Sequence, residues 1–327
     1  MWNPFLAGLL KRESVLQQQT NNMLPLNQVL HGDCLIEMAK LPANSIHMIC
    51  TDPPYFLDGL DADWTAEGLA KRGESALVGK LPKGMKFDRA QSAKFKEFYT
   101  KVSAEAFRVL KPGGAFLSFS SPRLYHALAS AVEDAGFEIR DMAGWVYTQS
   151  QFKAFSQDHI IDKDKTRTPE QKEALKAHCK DWKTLQLKPA IEPICVAFKP
   201  IEGRYIDNFE KHSVGLLNTL AKTGVDSDYI PSNIVTTESI CEEMDKVFLV
   251  KKPTKAEKGE SNSHVSVKPV ELIQHLINLF TKENAIVLDP FMGSGTTAVA
   301  CRASGRQYIG YEINPSYIEI TRSRLTP

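Results

Sequence analysis

Apolar and polar residues alternate with two different periods along the first half of the chain. Compact apolar stretches predict β-strands at residues 28–30, 45–51, 115–120 and 137–147. Apolar residues at every third or fourth position predict helices at residues 34–41, 90–110 and 123–135, with a Lys-Pro-Gly-Gly stop and turn at 111–114. Strands that alternate with helices are typical of a parallel sheet covered by helices.

Two segments break this rhythm. Residues 57–86 are irregular and rich in glycine, which predicts a long mobile loop. Residues 151–250 are polar, charged and interrupted by five prolines, with a strand-like piece at 194–198, and they predict an insertion or a separate small module. The rhythm then returns with a helix at 268–280, a strand at 285–288, a glycine turn, a helix that ends at 304 and a strand at 307–311.

Composition narrows the class of protein. With 43% hydrophobic and 24% charged residues in a chain of 327, we expect a globular protein with a substantial core. No apolar run approaches the roughly 18–20 residues of a membrane span. The apolar patch at 5–10 precedes Lys11 and Arg12, the reverse of a secretory signal, so we expect a cytoplasmic location and no membrane partner. The six cysteines form no CxxC pair, so we expect reduced structural thiols and no metal site.

The charged residues are distributed unevenly along the chain. The net charge is +1, which does not indicate a polyanionic partner for the chain as a whole. Residues 151–188 carry nine lysines and arginines against six acids, and residues 246–258 contain five lysines. Alone, either stretch is consistent with a solvated face.

The first chemical motif is Leu-Asp-Pro-Phe-Met-Gly-Ser-Gly-Thr-Thr at 288–297, which follows an apolar strand and opens a helix. Glycines let the backbone approach a ligand, and a helix N-terminus offers free N–H groups. Gly293-x-Gly295-x-x-Ala298 also satisfies the dinucleotide fingerprint. However, Asp289 would repel a pyrophosphate and suits the ammonium group of a methionine moiety. Glu312 ends the next strand, where an acid can bind ribose hydroxyls, so we expect an adenosyl amino acid cofactor.

The second motif is Thr-Asp-Pro-Pro-Tyr at 51–55, again at the end of a buried strand. Ligands of open α/β sheets bind at this edge, and two prolines hold a rigid extended turn. Asp52 and the Pro53 carbonyl can then accept hydrogen bonds from an aryl amine, whose lone pair is otherwise delocalised into the ring. Pro54 completes the turn, and Tyr55 offers a face on which an extruded base can stack.

Together these motifs resemble the amino-methyltransferase family of DNA modification enzymes, and the order of the catalytic motif before the cofactor motif is similar to their β group. Three further segments are similar to the family: 32–45, 264–269, where Ser266 replaces the more usual threonine, and 305–312. The resemblance implies S-adenosylmethionine as cofactor, double-stranded DNA as substrate, extrusion of the target base and direct transfer to N6 of adenine. The implied cofactor-binding residues are Asp33, Cys34, Lys268, Asp289, Phe291, Gly293, Gly295, Thr296 and Glu312.

The resemblance also implies the architecture. We expect a doubly wound, mostly parallel, seven-stranded Rossmann-like α/β sheet with helices on both faces and an inserted target-recognition module. The expected divisions are an N-terminal extension at 1–27, the catalytic half at 28–150, the target-recognition region at 151–250 and the cofactor half at 251–327. The family implies a prokaryotic or phage origin. A homodimer and a separately acting restriction endonuclease both stay open.

Three alternatives stay open at this point. N4 of cytosine presents the same amine chemistry, although Asp at position 52 favours adenine in this family and Ser favours cytosine. An oxidoreductase that uses the Gly293 turn would leave Asp-Pro-Pro-Tyr unexplained. A DNA-binding module without catalysis is disfavoured because both reactive motifs are intact.

Overall fold

The computed structural model describes residues 24–54, 89–147, 154, 156–184, 190–219, 232–236, 248–258 and 267–326. Within these residues the chain forms two compact units, one drawn from 1–145 and 192–327 and the other from 146–191. Tyr55 and the predicted loop at 57–86 lie outside the described residues. No helix among the described residues is long and apolar enough to cross a membrane.

The described residues form a mostly parallel sheet of nine strands. They are β1 Gln28–His31, β2 Ile46–Thr51, β3 Leu110–Phe119, β4 Glu138–Val146, β5 Ile191–Phe198, β6 Ile234–Thr236, β7 Phe248–Leu249, β8 Ile286–Asp289 and β9 Gln307–Glu312. Their order is β1-β9-β8-β2-β3-β5-β4-β6-β7. The first five strands in this order are parallel, and β5 runs antiparallel to β3. The mostly parallel α/β sheet is confirmed, but the predicted count of seven is wrong because β6 and β7 extend the edge beyond β4.

Ten helices are described. They are α1 Cys34–Met38, α2 Arg89–Val109, α3 Tyr125–Asp134, α4 Asp158–Lys163, α5 Pro169–His178, α6 Tyr205–His212, α7 Lys255–Lys258, α8 Val270–Phe280, α9 Thr296–Ala303 and α10 Pro315–Leu325. The predicted helices agree to within a few residues, apart from α1, which ends at Met38. The sequence pattern does not predict α4 to α7 or α10. Asn314 caps this helix by accepting a hydrogen bond from the Ser316 N–H at 3.0 Å, and Pro315 occupies its first turn.

The core lies against the centre of the sheet. Every residue of β2 and of β3 is buried. Successive strand residues point to opposite faces, so both faces must be covered. On one face, Phe95 and Tyr99 of α2 stack at 5.4 Å, and Tyr99 stacks in turn on Phe116 of β3 at 6.4 Å. The Tyr99 hydroxyl is 2.5 Å from the Ser118 hydroxyl, so this buried polar group is satisfied.

β3 begins earlier than its sequence predicts. The stop and turn predicted at 111–114 is instead a bulge within the strand, which starts at Leu110 directly after α2. The register runs from Ile46↔Leu110 to Met48↔Ala115, so β3 carries three extra residues here. Gly113 has φ +76°, and a Cβ there would lie 2.5 Å from Asn208 Nδ2. Only glycine fits this bulge.

The smaller unit contains α4 and α5. Thr168 and Gln171 form a capping box at the start of α5. Trp182, which follows α5, is 76% exposed, whereas Lys176 is held by Asp162 at 2.6 Å and Glu173 at 2.9 Å. The predicted recognition region at 151–250 is therefore divided, because it also contains β5 of the main sheet. Its role in recognising DNA stays a prediction.

Candidate active site

The carboxyl ends of β2, β8 and β9 meet at one edge because these strands are parallel. The Thr51 hydroxyl at the end of β2 donates a hydrogen bond of 2.7 Å to Asp289 Oδ1 at the end of β8. This bond joins the two chemical motifs directly across 238 positions of the chain. The sheet therefore brings the Asp-Pro-Pro turn and the glycine turn side by side.

An open cavity lies between these two turns, with about 430 Å³ of empty space that includes open solvent. The described residues that line it are Thr51, Asp52, Phe119, Lys268, Ile273, Asp289, Phe291, Met292, Gly293, Ser294, Thr296 and Thr297. Six of the predicted site residues are among them: Asp52, Lys268, Asp289, Phe291, Gly293 and Thr296.

Asp289 is a buried carboxylate with three donors. Its Oδ1 accepts hydrogen bonds from Thr51 and from the Phe291 N–H at 3.0 Å, and its Oδ2 accepts one from the Thr297 hydroxyl at 2.6 Å. Burial raises the pKa of Asp289 to about 6, although these hydrogen bonds favour the charged form. A buried negative charge of this kind is stabilised by a cation that enters the cavity.

The glycine turn has a packing role as well as an open backbone. Gly293 and Gly295 have φ of +55° and +85°, which favours glycine at both positions. A Cβ on Gly295 would meet Thr321 Cγ2 of α10 and lie 2.7 Å from its Oγ1. Gly295 is therefore needed for the contact with α10. The role of Gly295 in the approach of a ligand stays a prediction.

Glu312 lies behind the same turn. Its Oε2 accepts a hydrogen bond of 2.8 Å from the Gly293 N–H, and its Oε1 accepts one of 2.8 Å from the Asn314 N–H. Burial raises the pKa of Glu312, while these backbone N–H groups oppose the shift. The Ile313 N–H also opposes the shift, so three backbone donors face this carboxylate. A carboxylate has about four acceptor positions, so Glu312 keeps capacity for about one further donor.

Asp33 and Cys34 lie at the neighbouring end of β1. Asp33 is exposed and caps α1, because its Oδ1 accepts a hydrogen bond of 2.8 Å from the Leu35 N–H. Cys34 is buried in the core, and burial together with nearby Asp33 raises the pKa of its thiol to about 12. The Cys34 thiol is therefore protonated and inert, which leaves the backbone of this residue for any contact with a ligand.

Asp52 follows β2 and is paired with a buried lysine. Asp52 Oδ2 forms an ion pair with Lys268 Nζ, which is also 3.1 Å from Glu192 Oε1. Burial acts against the charge of Lys268, but the two carboxylates outweigh it and raise its pKa above the ordinary value. The ammonium also lies 5.1 Å from the centre of the Phe119 ring. Pro53 is buried and Pro54 is half-buried, so the turn after Asp52 is held rigidly.

Several residues of the site escape sequence reasoning. Glu192 carries no motif and lies in the segment predicted as an insertion. Arg324 of α10 donates hydrogen bonds to the Ser294 carbonyl at 2.7 Å and the Thr296 hydroxyl at 3.2 Å, and it thereby holds the glycine turn from behind. Thr51 is the first residue of one motif and Thr297 the last residue of the other, but the sequence assigns neither a role. Their hydroxyls are the side-chain donors to Asp289.

Comparison with known proteins identifies the family of the chain. The profile of the DNA methylase family matches residues 46–323. A relative, type II methyltransferase M.HindIII of Haemophilus influenzae, is 31% identical over 91% of this chain and 94% of its own length. DNA adenine methyltransferase YhdJ of Escherichia coli is 26% identical over 91% of this chain and 82% of its own length.

Solved structures share the fold. The crystal structure of the M1.HpyAVI–SAM complex has a TM-score of 0.52 at 20% identity and covers 92% of this chain and 99% of its own. PvuII DNA methyltransferase, described as cytosine-N4-specific, has a TM-score of 0.55 at 16% identity and covers 92% and 86%. With most of its length matched by the family profile, the chain belongs to the DNA methylase family of N6 and N4 methyltransferases.

Proposed function

We propose that this DNA methyltransferase transfers a methyl group from S-adenosylmethionine to N6 of a target adenine in double-stranded DNA. The observation that carries the proposal is the position of Asp52, on the wall of the same cavity as Asp289 and the glycine turn. An acceptor for an amine and a site for a cationic methyl donor then share one space, as direct transfer requires.

The described residues fit the cofactor chemically. S-adenosylmethionine, when bound, supplies a methyl group carried on a positively charged sulfur. Asp289 would favour the positive charge of the methionine end, and Glu312 would accept a hydrogen bond from a ribose hydroxyl. Phe291 would contact the adenine, and the backbone at Asp33 and Cys34 would bind at the neighbouring edge.

Asp52 would act on the base. A carboxylate that accepts a hydrogen bond from the amine N–H favours a pyramidal nitrogen, whose lone pair can then attack the methyl carbon. The Pro53 carbonyl would accept the second N–H. The target base has to leave the DNA double helix to reach Asp52 in the cavity, and Tyr55 would stack on it. A duplex with 2-aminopurine at the target position should therefore brighten when the protein binds.

Adenine is the preferred base because Asp occupies the first position of the catalytic tetrapeptide. The similarity to the relative described as a DNA adenine methyltransferase supports the same choice. We further propose that residues 151–250 read the DNA sequence. The basic composition of 151–188 and the exposed Trp182 support this proposal.

The direct test is to identify the modified nucleoside. Purified protein is incubated with unmethylated plasmid DNA and S-adenosylmethionine, and the digested DNA is analysed by mass spectrometry. The proposal expects N6-methyldeoxyadenosine, formed only when the cofactor is present. N4-methyldeoxycytidine would replace the proposed base while keeping the chemistry, and no methylated nucleoside would refute the proposal.

A further inference from the structure

Glu192 lies at the edge of the sheet that carries the candidate active site, because its strand is antiparallel to the neighbouring strand. β5 is antiparallel to β3, with Phe119 paired to Ile194, and the Ser120 N–H donates a hydrogen bond of 2.9 Å to the Pro193 carbonyl. The amino end of β5 therefore lies beside the carboxyl end of β3. A carboxylate two residues before Ile194 thus arrives at the edge where the parallel strands present their functional side chains.

Glu192, Lys268 and Asp52 form a buried chain of charges. Their side chains are 16%, 6% and 21% exposed. Lys268 Nζ lies between the two carboxylates, 3.1 Å from Glu192 and in direct contact with Asp52. The three residues come from three separate segments of the chain, so only the folded sheet brings them together.

Glu192 affects Asp52 through the lysine that lies between them. A lysine has a long flexible side chain and a compact charge, so one carboxylate alone does not fix its position. With Glu192 as a second anchor, the ammonium is held at one place and its charge is shared between two acids. Without Glu192, Lys268 would lose one of these two carboxylate partners, and its charge would act more strongly on Asp52.

We propose that Glu192 is a positioning residue, which holds Lys268 so that Asp52 keeps the orientation and negative charge needed to bind the target amine. The inference rests on the proposed function, because it assigns Glu192 a part in the same reaction. Glu192 is not among the described residues that line the cavity, so we assign it an action through Lys268 and not a contact with the base or the cofactor.

The test uses Glu192→Gln, which keeps the shape of the side chain and removes its charge. We expect kcat for methyl transfer to fall about tenfold, while the Kd for S-adenosylmethionine, measured by calorimetry, stays within about twofold of the wild type. Glu202→Gln is the matched control, because it removes a carboxylate that pairs with Lys211 and His212 at the surface. Its kcat should equal that of the wild type.

A double-mutant cycle with Lys268→Met separates positioning from general destabilisation. If Glu192 acts through Lys268, Glu192→Gln should have no further effect on kcat in the Lys268→Met background. Crystal structures of wild type and Glu192→Gln should show a shifted Asp52 carboxylate. If the wild type is active, an unchanged kcat in Glu192→Gln would overturn this inference but not the proposed function. The same holds if the kcat of the double variant falls by the product of the two single losses. A wild type that methylates no DNA would refute the proposed function, and the inference with it.

Discussion

Replacing Asp289 with asparagine should weaken cofactor binding and stabilise the fold at the same time. Asparagine has the same shape, and its oxygen can still accept hydrogen bonds from Thr51 and the Phe291 N–H. Its NH₂ group can donate to the Thr297 hydroxyl, which would reverse the direction of that bond. The variant therefore removes the charge while it keeps the packing.

The size of the stability effect follows from the pKa of Asp289. Burial raises this pKa from 3.8 to about 6, so the folded protein binds more protons than the unfolded chain between these values. The free energy of unfolding should therefore fall as the pH rises from about 4 to 6, by on the order of 3 kcal/mol in total. Asparagine never carries the charge, so we expect Asp289→Asn to be more stable by about 1–3 kcal/mol at pH 7.

Cofactor affinity should respond in the opposite direction. Binding of a cation favours charged Asp289, so the wild-type Kd for S-adenosylmethionine should be constant well above pH 6 and rise as the pH falls. One unit below a pKa near 6 only about a tenth of the carboxylate is charged, so the Kd should rise about tenfold between pH 7.5 and 5. Calorimetric titrations across this range are the assay. A Kd for Asp289→Asn that equals the wild type at pH 7.5 would refute the reasoning.

Three further predictions concern single residues. Gly295→Ala should lower the free energy of unfolding by about 1–3 kcal/mol in denaturant titrations, because its Cβ would overlap Thr321; unchanged stability would contradict this contact. Burial lowers the pKa of Lys111 beside His47 to about 8, so Lys111→Met should be more stable by about 1–3 kcal/mol at pH 7. That gain should shrink as the pH rises towards 10, and a constant gain would argue against the charge as its cause. Trp182→Ala should leave stability unchanged and weaken DNA binding by about 1–3 kcal/mol, whereas equal affinity in a fluorescence titration would exclude a stacking role.

Local patterns predict the parts of the site that lie on parallel strands. Asp52 and Asp289 each follow an apolar strand and precede a turn of prolines or glycines, so the sequence alone predicts that both reach the carboxyl edge. Glu192 breaks that rule, because an antiparallel strand brings its amino end to this edge. No local pattern distinguishes strand direction, so this residue could not be predicted.

Long-range packing explains the other differences. The contact between Gly295 and Thr321 depends on how α10 packs, and the sequence pattern does not predict that helix. The start of β3 depends on a bulge around Gly113, which resembles a helix stop when only its Lys-Pro-Gly-Gly residues are considered. In each case a tertiary contact determines which structure a local sequence pattern adopts.

The central claim is that Asp52 holds the target amine while the glycine turn holds the cofactor. Single-turnover methyl transfer and equilibrium binding of S-adenosylmethionine, measured side by side for wild type and Asp52→Ala, test it most directly. We expect Asp52→Ala to lose methyl transfer to N6 of adenine, while its Kd for the cofactor stays close to that of the wild type. Methyl transfer that survives at saturating cofactor, together with a collapsed cofactor affinity, would contradict the account.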